Sequence, residues 1–432
     1  MIRPPGGETG GQGCFEPTGS VGYSFLPGAE TIRSSSCIAT NRWGRAVRRP
    51  EKETRMQYFS PDACTPDLWR YLQSQAGRPI LLWGMGDGAD KVLDVCAEYG
   101  IAVADVFASD GFVRGQSFRG RRVLSFGEAR ATYGDCMIVL LAFGSRRPDV
   151  LDNIRRVAAQ CELYIPDVPV SGGALFTAEL VQAHRADMER ARTLLADETS
   201  RGVFDGIVRA RLGGRLEDIE ATATGRAEVW RLLRAESIRT AMDCGAYTGD
   251  SLRELIRYAP GLETAVCLEP DVRSFRKLSA YAQALAAEGR AVYPLQAAAW
   301  SEDATLTFHD TGNRNASLLP TPQSRERLRQ VAAAAPDSAW GCVSAGLPVG
   351  GYRRLDFIKY DVEGAERDAL LGSRSLIRQD SPRLLVSVYH RSADLWELPL
   401  LVRSLYPGAS LYLRRMDGVP AWDIELYAVP DE

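Results

Sequence analysis

The sequence is poor in several features that mark common protein classes. Only three of its 432 residues are histidine, which leaves little material for a histidine-rich metal site. The net charge is −3 and the pI is near 5.9, so the composition argues against a broad nucleic-acid or anionic-membrane surface. No apolar run reaches the roughly 18 residues that a membrane-spanning helix needs. The apolar fraction of 45% and the charged fraction of 25% are typical of a soluble globular protein.

The cysteines lack a recognisable pattern. Nine are spread from Cys14 to Cys342 without a C-x-x-C pair. An odd number without metal-ligand or disulfide spacing predicts reduced, mostly buried thiols, and therefore a cytoplasmic protein.

The length predicts two or three domains. Residues 1–56 are rich in glycine, proline, serine and arginine and have no periodic apolar pattern. Such a segment cannot bury enough apolar surface to offset the entropy of ordering, so we expect a disordered extension. Ordered patterning begins near Met56, which leaves two translation starts open, Met1 and Met56.

Residues 57–176 alternate short apolar runs with amphipathic segments. The runs ILLWG, from Ile80, and CMIVLLAFGS, from Cys136, are typical of buried strands, and KVLDVCAEYG between them is a helical pattern closed by Gly100. Strands that alternate with helices predict a doubly wound, parallel, Rossmann-like sheet. Residues 177–237 have a mostly helical period and should form a linker to a second sheet.

A glycine-rich turn follows the first strand of this region. Gly84, Gly86 and Gly88 open the helix, as the glycines of a dinucleotide-binding loop do. The acidic residue expected on the second strand has only Asp105 and Asp110 as candidates, neither at a secure spacing. The turn is therefore a candidate for a second nucleotide or sugar-nucleotide site, or for a docking unit. A redox role is disfavoured, because no proton donor is apparent between residues 80 and 170.

Residues 238–432 carry a second α/β pattern. Its strand candidates are IRTAM, TAVCL, AVYPLQA, RLDFIKY and PRLLVSVYH, with helices predicted after the first, second and fourth. Residues 311–351 show no clear element and are expected to be a loop or lid. The chain closes with SLYLRRM and DIELYAV, which predict an antiparallel hairpin at the edge of the sheet.

The turn after the first of these strands is the most informative stretch. Asp243 ends the apolar run, and Gly245 and Gly249 precede a helical pattern that starts at Leu252. Glycines there allow a tight turn and a close approach to a ligand. Glu269 ends the next strand about 25 residues later, where an open α/β sheet carries its ribose-binding carboxylate.

Polar residues end all five of these strands: Asp243, Glu269, Gln296, Asp361 and His390. In a doubly wound sheet, ligands bind outside the carboxyl ends of the strands, so these side chains should meet at one rim. The convergence of the whole set predicts a functional site more strongly than any single member does.

The motifs AMDCGAYTGD, VCLEPD and IKYDVEGAE resemble those of FkbM-type S-adenosylmethionine-dependent methyltransferases. The similarity covers about residues 238–430 and implies a class I methyltransferase fold there. The N-terminal half resembles the nucleotide-binding-like domain that precedes the methyltransferase in some members. The segment SAWGCVSAGLPVGGYRRL departs from the Thr-Leu-Asp-type segment that members often carry before the Lys-x-Asp strand.

The resemblance implies seven cofactor-binding residues after the first three strands: Asp243, Gly245, Tyr247, Gly249, Glu269, Gln296 and Ala298. Asp243 would bind the amino group of the cofactor's methionine part, and Glu269 would accept both ribose hydroxyls. Tyr247, between the two glycines, would cover the cofactor. Ala298 would flank the adenine, with Gln296 as a candidate for its edge.

Asp361 and His390 are the candidate catalytic residues. Histidine has a pKa suited to removing a proton from an alcohol, and His390 is the only histidine at a predicted strand end. Asp361 and Glu363 could hold a divalent cation that orients a hydroxyl substrate, although no His or Asn joins them at an evident ligand spacing. Glu366, near the start of the next helix, is explained as well by the helix dipole. Lys359 alternates with Asp361 along the strand, as an ion-pair partner would.

The resemblance favours an S-adenosylmethionine-dependent O-methyltransferase. The resemblance implies that it acts on a hydroxyl of a sugar or secondary metabolite, so the expected partner is a small-molecule or glycan acceptor rather than nucleic acid. The alternative is a non-catalytic, two-lobed module that binds a nucleotide or sugar nucleotide. A nicotinamide oxidoreductase based on the turn at Gly84–Gly88 is a third interpretation.

Overall fold

The computed structural model describes residues 67–310, 327–346 and 352–431. All of them belong to one compact unit, Tyr58–Glu432. The expected disordered extension, residues 1–56, lies outside the described residues. Within the described ranges, every helix is too short or too polar to cross a membrane.

The first half of the unit alternates strands and helices, as predicted, and then becomes helical. Its elements are α1 (Leu68–Ser74), β1 (Ile80–Trp83), α2 (Asp87–Glu98), β2 (Val103–Ala108), β3 (Ser117–Phe118), β4 (Arg121–Arg122), β5 (Leu124–Ser125), α3 (Phe126–Tyr133), β6 (Ile138–Leu141), α4 (Pro148–Ala158), β7 (Glu162–Tyr164), α5 (Ala178–Ala183), α6 (Arg185–Thr193), α7 (Glu198–Gly213), α8 (Leu216–Glu220) and α9 (Arg226–Leu232). Short 3₁₀ helices span Asp110–Phe112 and Ala235–Ser237.

The first sheet is parallel throughout, in the order β5-β2-β1-β6-β7. All four residues of β1 are buried, because helices cover both faces of the sheet. This explains why its sequence is a continuous apolar run rather than an alternating one.

The second half contains a larger sheet. Its elements are β8 (Thr240–Cys244), α10 (Asp250–Tyr258), β9 (Thr264–Leu268), α11 (Val272–Ala287), β10 (Ala291–Leu295), β11 (Ala298–Ala299), β12 (Ala304–Asp310), β13 (Arg327–Ala334), α12 (Pro336–Ala345), β14 (Phe357–Tyr360), α13 (Glu366–Leu371), α14 (Arg374–Asp380), β15 (Arg383–Ser387), α15 (Asp394–Leu405), β16 (Ala409–Arg415) and β17 (Ile424–Pro430).

The strand order of this sheet is β10-β9-β8-β14-β15-β17-β16. The first five strands are parallel, and β17 pairs antiparallel with both β15 and β16. The mixed α/β fold with parallel sheets is therefore confirmed. The final two strands do pair antiparallel, but only β16 forms the edge, because β17 is inserted beside β15.

The prediction of a structureless loop over residues 311–351 was wrong in part. Strand β13 and helix α12 occupy most of its described portion, and β13 forms a small sheet with β11 and β12. The run VAAAA lacks large apolar side chains, so its periodicity gives no clear signal even though the backbone pairs regularly. Trp340 of α12 is fully buried, and its indole nitrogen donates a hydrogen bond to the carbonyl of Arg353 at 2.9 Å.

The helical segment between the sheets lies against the edge strand of the second one. The amides of Ala196 and Thr224 donate hydrogen bonds to the carbonyls of Leu411 and Arg415, both at 2.8 Å. These contacts satisfy backbone groups that an open edge strand would expose. Since one compact unit holds both sheets, the domain division at residues 176 and 237 stays a prediction.

Candidate active site

A cavity of about 430 Å³ lies at the carboxyl ends of β8, β9 and β14. This is the switch point of the second sheet, since the chain builds outward from β8 in one direction and then returns to place β14 on its other side. Nine acidic and three basic residues line the cavity. Its wall therefore favours ligands that carry positive charge.

Asp243 ends β8 and forms part of the cavity wall. The hydroxyl of Ser251 donates to its Oδ2 at 2.5 Å, and the ammonium of Lys359 donates to its Oδ1 at 3.1 Å. Lys359 also lies 3.6 Å from Asp361 Oδ2. Burial alone would lower the pKa of Lys359, but Asp243 and Asp361 outweigh it and raise that pKa above its ordinary value. The lysine therefore stays charged, which supports the predicted ion pair.

The turn after β8 depends on its first glycine. Gly245 has a φ of 85°, and a Cβ atom there would lie 1.8 Å from the carbonyl oxygen of Asp361. Only glycine allows this approach of the two strand ends. Tyr247 has a φ of 47° and lines the cavity, and Gly249, with a φ of 81°, packs on the ring of Tyr281. Gly249 is not among the cavity-lining residues, so its role is to support the turn.

Glu269 follows β9 and is 7% exposed. Its Oε2 accepts a hydrogen bond from the amide of Tyr247 and its Oε1 one from the amide of Asp271, both at 2.8 Å. Burial raises the pKa of Glu269 to about 7, although the two amides act in the opposite direction. The carboxylate is thus fixed at the cavity wall, with further lone pairs left for hydroxyl donors.

The two residues predicted near the adenine differ in position. Ala298 is buried and lines the cavity. Gln296 is exposed to solvent and does not line it. It follows β10, which is the edge strand on that side of the sheet.

Asp361 and Glu363 line the other side of the cavity. Ser387 donates a hydrogen bond to Asp361 Oδ1 at 3.0 Å. Burial would raise the pKa of Asp361, but the neighbouring Lys359 reverses this and lowers it. Burial raises the pKa of Glu363 to about 7. Both carboxylates are therefore placed to meet a ligand from the wall of the cavity.

His390 lies behind these carboxylates rather than in the cavity. It is completely buried, and the cavity lining includes its neighbour Tyr389 but not His390 itself. Its Nε2 is 3.6 Å from Asp361 Oδ1 and 3.5 Å from Glu363 Oε2, and its Nδ1 is 2.9 Å from Glu366 Oε1. Burial lowers the pKa of His390, but Glu366 and Glu363 outweigh it and raise the pKa to about 10. A direct role as base to the acceptor does not fit this position, because the imidazole does not reach the cavity.

Glu366 is more than an acid at a helix start. It is 1% exposed, and its Oε1 also accepts a hydrogen bond from the amide of Val362 at 2.8 Å. The sequence suggested a helix-dipole role, whereas the structure places it against His390. Neither spacing nor periodicity gave a signal for this contact.

The loop after β6 contributes a cavity-lining residue that the sequence did not single out. Arg146 follows β6 and lines the cavity, and its Nε donates to Asp423 Oδ2 at 2.7 Å. Its neighbour Ser145 exchanges two backbone hydrogen bonds with Val419, at 2.8 and 3.0 Å. A Cβ atom on Gly144 would lie 2.7 Å from the ring of Trp422, so glycine is needed for this docking. The loop thereby forms part of the cavity wall.

The glycine-rich turn of the first sheet lies elsewhere. Gly84, Gly86 and Gly88 do not line this cavity. A Cβ atom on Gly88 would meet the carbonyl oxygen of Ala142 at 2.8 Å, so this glycine allows helix α2 to pack closely on the end of β6. The first turn of α2 carries Asp87 and Asp90, which oppose an anion at that helix terminus. Asp105, the candidate acid on β2, accepts a hydrogen bond from Tyr133 at 3.1 Å.

One family model matches part of the chain. Residues 243–407 match the model of the methyltransferase FkbM domain. The structure is similar to the crystal structure of a methyltransferase FkbM from Methylobacillus flagellatus, with 19% identity and a TM-score of 0.59 over 83% of this chain and 92% of that one. At this identity, the likeness shows the fold alone.

Two further solved structures overlap with the chain at lower TM-scores. An O-methyltransferase from Bacillus cereus in complex with SAH has 12% identity and a TM-score of 0.31, over 58% of this chain and 100% of that one. Fibrillarin from Aeropyrum pernix with bound S-adenosyl-L-methionine has 13% identity and a TM-score of 0.29, over 47% and 74%. A search of curated protein sequences gives no match.

Proposed function

We propose that this chain, whose residues 243–407 match the model of the FkbM methyltransferase domain, transfers a methyl group from S-adenosylmethionine to a hydroxyl of a small-molecule or glycan acceptor. The observation that carries the proposal is the convergence of Asp243, Tyr247 and Glu269 on one cavity at the switch point of the second sheet. An anionic wall, a glycine turn and a fixed carboxylate suit a cationic cofactor with a ribose diol.

The cofactor side follows from the hydrogen bonds already present. Each oxygen of Glu269 accepts one backbone amide, which leaves lone pairs for the two ribose hydroxyls. Asp243 would bind the ammonium of the methionine part, sharing its carboxylate with Lys359 and Ser251. Ala298 offers a flat, small surface for the adenine. Gln296 has no part in this assignment, because it lies outside the cavity lining.

The acceptor side falls to Asp361 and Glu363. When bound, S-adenosylmethionine supplies a methyl carbon made electrophilic by its sulfonium, so that the acceptor oxygen gains the carbon as the carbon–sulfur bond breaks. The two carboxylates line the same cavity and can hold the acceptor hydroxyl and take its proton on a carboxylate oxygen. His390 contacts both carboxylates from behind and is a positioning residue in this proposal.

The proposal is tested by calorimetry on the full chain with S-adenosylmethionine, a nucleotide sugar and NAD. Binding of S-adenosylmethionine alone supports the methyltransferase. Binding of a nucleotide sugar or NAD without S-adenosylmethionine supports the non-catalytic module or the oxidoreductase instead. Labelled methyl transfer to a panel of hydroxyl acceptors then separates an enzyme from a module that only binds the cofactor.

A further inference from the structure

We infer that Asp361 and His390, with Glu366 behind the imidazole, form a binding site for a divalent transition-metal ion on the acceptor side of the cavity. The role of the ion in methyl transfer rests on the proposed function, but its binding does not, since it can be measured without cofactor or acceptor.

The three residues come together from separate elements. Asp361 follows β14, Glu366 begins α13, and His390 lies after β15. One carboxylate oxygen or imidazole nitrogen of each residue lies within 4.8 Å of those of the other two. His390 and Glu366 are 0% and 1% exposed, so most of the cluster is shielded from water.

Three buried atoms of the cluster lack a hydrogen bond in the part of the chain that the structure describes: His390 Nδ1, His390 Nε2 and Glu366 Oε2. Nδ1 still has the charge of Glu366 Oε1 at 2.9 Å, whereas Nε2 has no atom that close among the acidic residues around it. An orphan atom is costly in a protein interior, and a bound ion would satisfy Nε2.

The distances around His390 Nε2 fit a shared ion better than a hydrogen bond. Asp361 Oδ1 and Glu363 Oε2 lie 3.6 and 3.5 Å from it, which is too long for a hydrogen bond from the ring. Two ligands that each sit about 2.1 Å from one tetrahedral ion are about 3.4 Å apart. An ion between His390 and Asp361 therefore needs little movement of either side chain.

Glu366 holds the imidazole as carboxylates commonly hold metal-bound histidines. Its Oε1 lies 2.9 Å from Nδ1 and is itself anchored by the amide of Val362. A carboxylate on Nδ1 fixes the ring and leaves Nε2 to bind the ion. The sequence pointed to Asp361 and Glu363 as ligands, whereas the structure supplies the missing nitrogen ligand from His390.

The ligand set selects the class of ion. An imidazole nitrogen with carboxylates suits Mn²⁺, Fe²⁺, Co²⁺ or Zn²⁺, while Mg²⁺ and Ca²⁺ prefer oxygen ligands only. The excess of acidic residues in the cavity wall favours a cation there. An ion beside Asp361 would act as a Lewis acid at the part of the cavity wall where the acceptor hydroxyl is proposed to bind.

The test uses the full chain, stripped with chelator and titrated calorimetrically with Mn²⁺ and, separately, with Mg²⁺. We expect one Mn²⁺ per chain, bound at least tenfold more tightly than Mg²⁺. Asp361→Asn and His390→Gln should each weaken Mn²⁺ binding at least tenfold. Asp423→Asn is the matched control, because it removes a carboxylate from the same cavity wall but not from the cluster, and it should bind Mn²⁺ as the wild type does.

If His390→Gln does not fold, Asp361→Asn still tests the site. Asparagine has the shape of aspartate, and the side chain of Asp361 is 34% exposed, so this variant should fold. Absence of Mn²⁺ binding, equal affinity for Mg²⁺, or unchanged Mn²⁺ binding in folded Asp361→Asn would overturn the inference. Titration of the same samples with S-adenosylmethionine separates the two proposals. If the chain binds the cofactor but not Mn²⁺, only the metal-site inference is contradicted. If it binds Mn²⁺ but not the cofactor, only the proposed methyltransferase function is contradicted.

Discussion

The ammonium of Lys359 donates a hydrogen bond to Asp243 at 3.1 Å across the switch point of the second sheet. The two residues are register partners on the adjacent strands β14 and β8. Asp361, two residues after Lys359, lies 3.6 Å from the same ammonium. One buried cation thus joins the carboxylate on the proposed cofactor side to the one on the proposed acceptor side.

Lys359→Met should destabilise the protein strongly. Removing one partner of a buried ion pair leaves uncompensated charge, here two carboxylates, at a typical cost of about 3–5 kcal/mol. Urea unfolding of both proteins measures the difference. Lys277→Met, at an exposed position of α11, is the control and should change the free energy of unfolding little. Equal stability of the Lys359 variant and wild type would show that the pair is not structurally important.

Gly245→Ala should disrupt the turn that follows β8. The new Cβ atom would collide with the carbonyl of Asp361 and would hold a left-handed φ, for which strain alone costs about 1–3 kcal/mol. We expect a lower melting temperature and loss of S-adenosylmethionine binding. Gly341→Ala is the opposite case, because its Cβ would meet nothing within 4 Å inside helix α12. That control should be neutral or stabilising by up to about 1 kcal/mol.

Glu269→Ala should weaken S-adenosylmethionine binding by about 1–3 kcal/mol, as expected for the loss of hydrogen bonds to a charged group. The fold should persist, because the residue lies at the rim of the sheet. Calorimetry gives the affinity, and thermal unfolding checks the fold. Glu263→Ala, just before β9 at its opposite end, is the control and should bind normally. Unchanged affinity in folded Glu269→Ala would remove the ribose assignment.

Glu269→Gln should alter the pH dependence of stability. Burial raises the pKa of Glu269 to about 7 from 4.5, so the folded ligand-free protein holds this proton more tightly than the unfolded chain does. That stabilisation is present below pH 4.5 and is lost as the pH rises through 7. The variant cannot titrate, so its stability relative to wild type should increase between pH 5 and pH 8 by about 1–3 kcal/mol. Urea unfolding of both proteins at both pH values measures this difference. An equal change in the free energy of unfolding of the two proteins between these pH values would contradict the prediction.

The sequence predicted the sheet elements well because buried parallel strands are short apolar runs that end in polar residues. β8, β9 and β14 follow this rule, and Asp243, Glu269 and Asp361 accordingly line one cavity. The sequence did not predict strand β13, because alanine contributes little to a hydrophobic pattern. The pairing of β13 with β12 joins two separate segments, so the periodicity of either segment alone does not indicate it.

The remaining site residues depend on contacts between distant segments. Arg146 contacts Asp423, which is 277 residues away in the sequence. The loop that carries Arg146 meets Asp423 only when the two halves of the unit pack together. The burial of His390 likewise depends on a remote segment, since the amides of Val170 and Ser171 donate to its carbonyl at 3.1 and 3.0 Å. The sequence could place His390 at a strand end but not behind the cavity wall.

A crystal structure of the full chain with S-adenosylhomocysteine would show where the cofactor product binds. We expect the product in the cavity of the second sheet, with both ribose hydroxyls on Glu269, the amino group at Asp243 and the adenine against Ala298. The sulfur should face Asp361 and Glu363 across the space left for the acceptor. Product bound at the turn of Gly84–Gly88, or no binding at millimolar concentration, would contradict it.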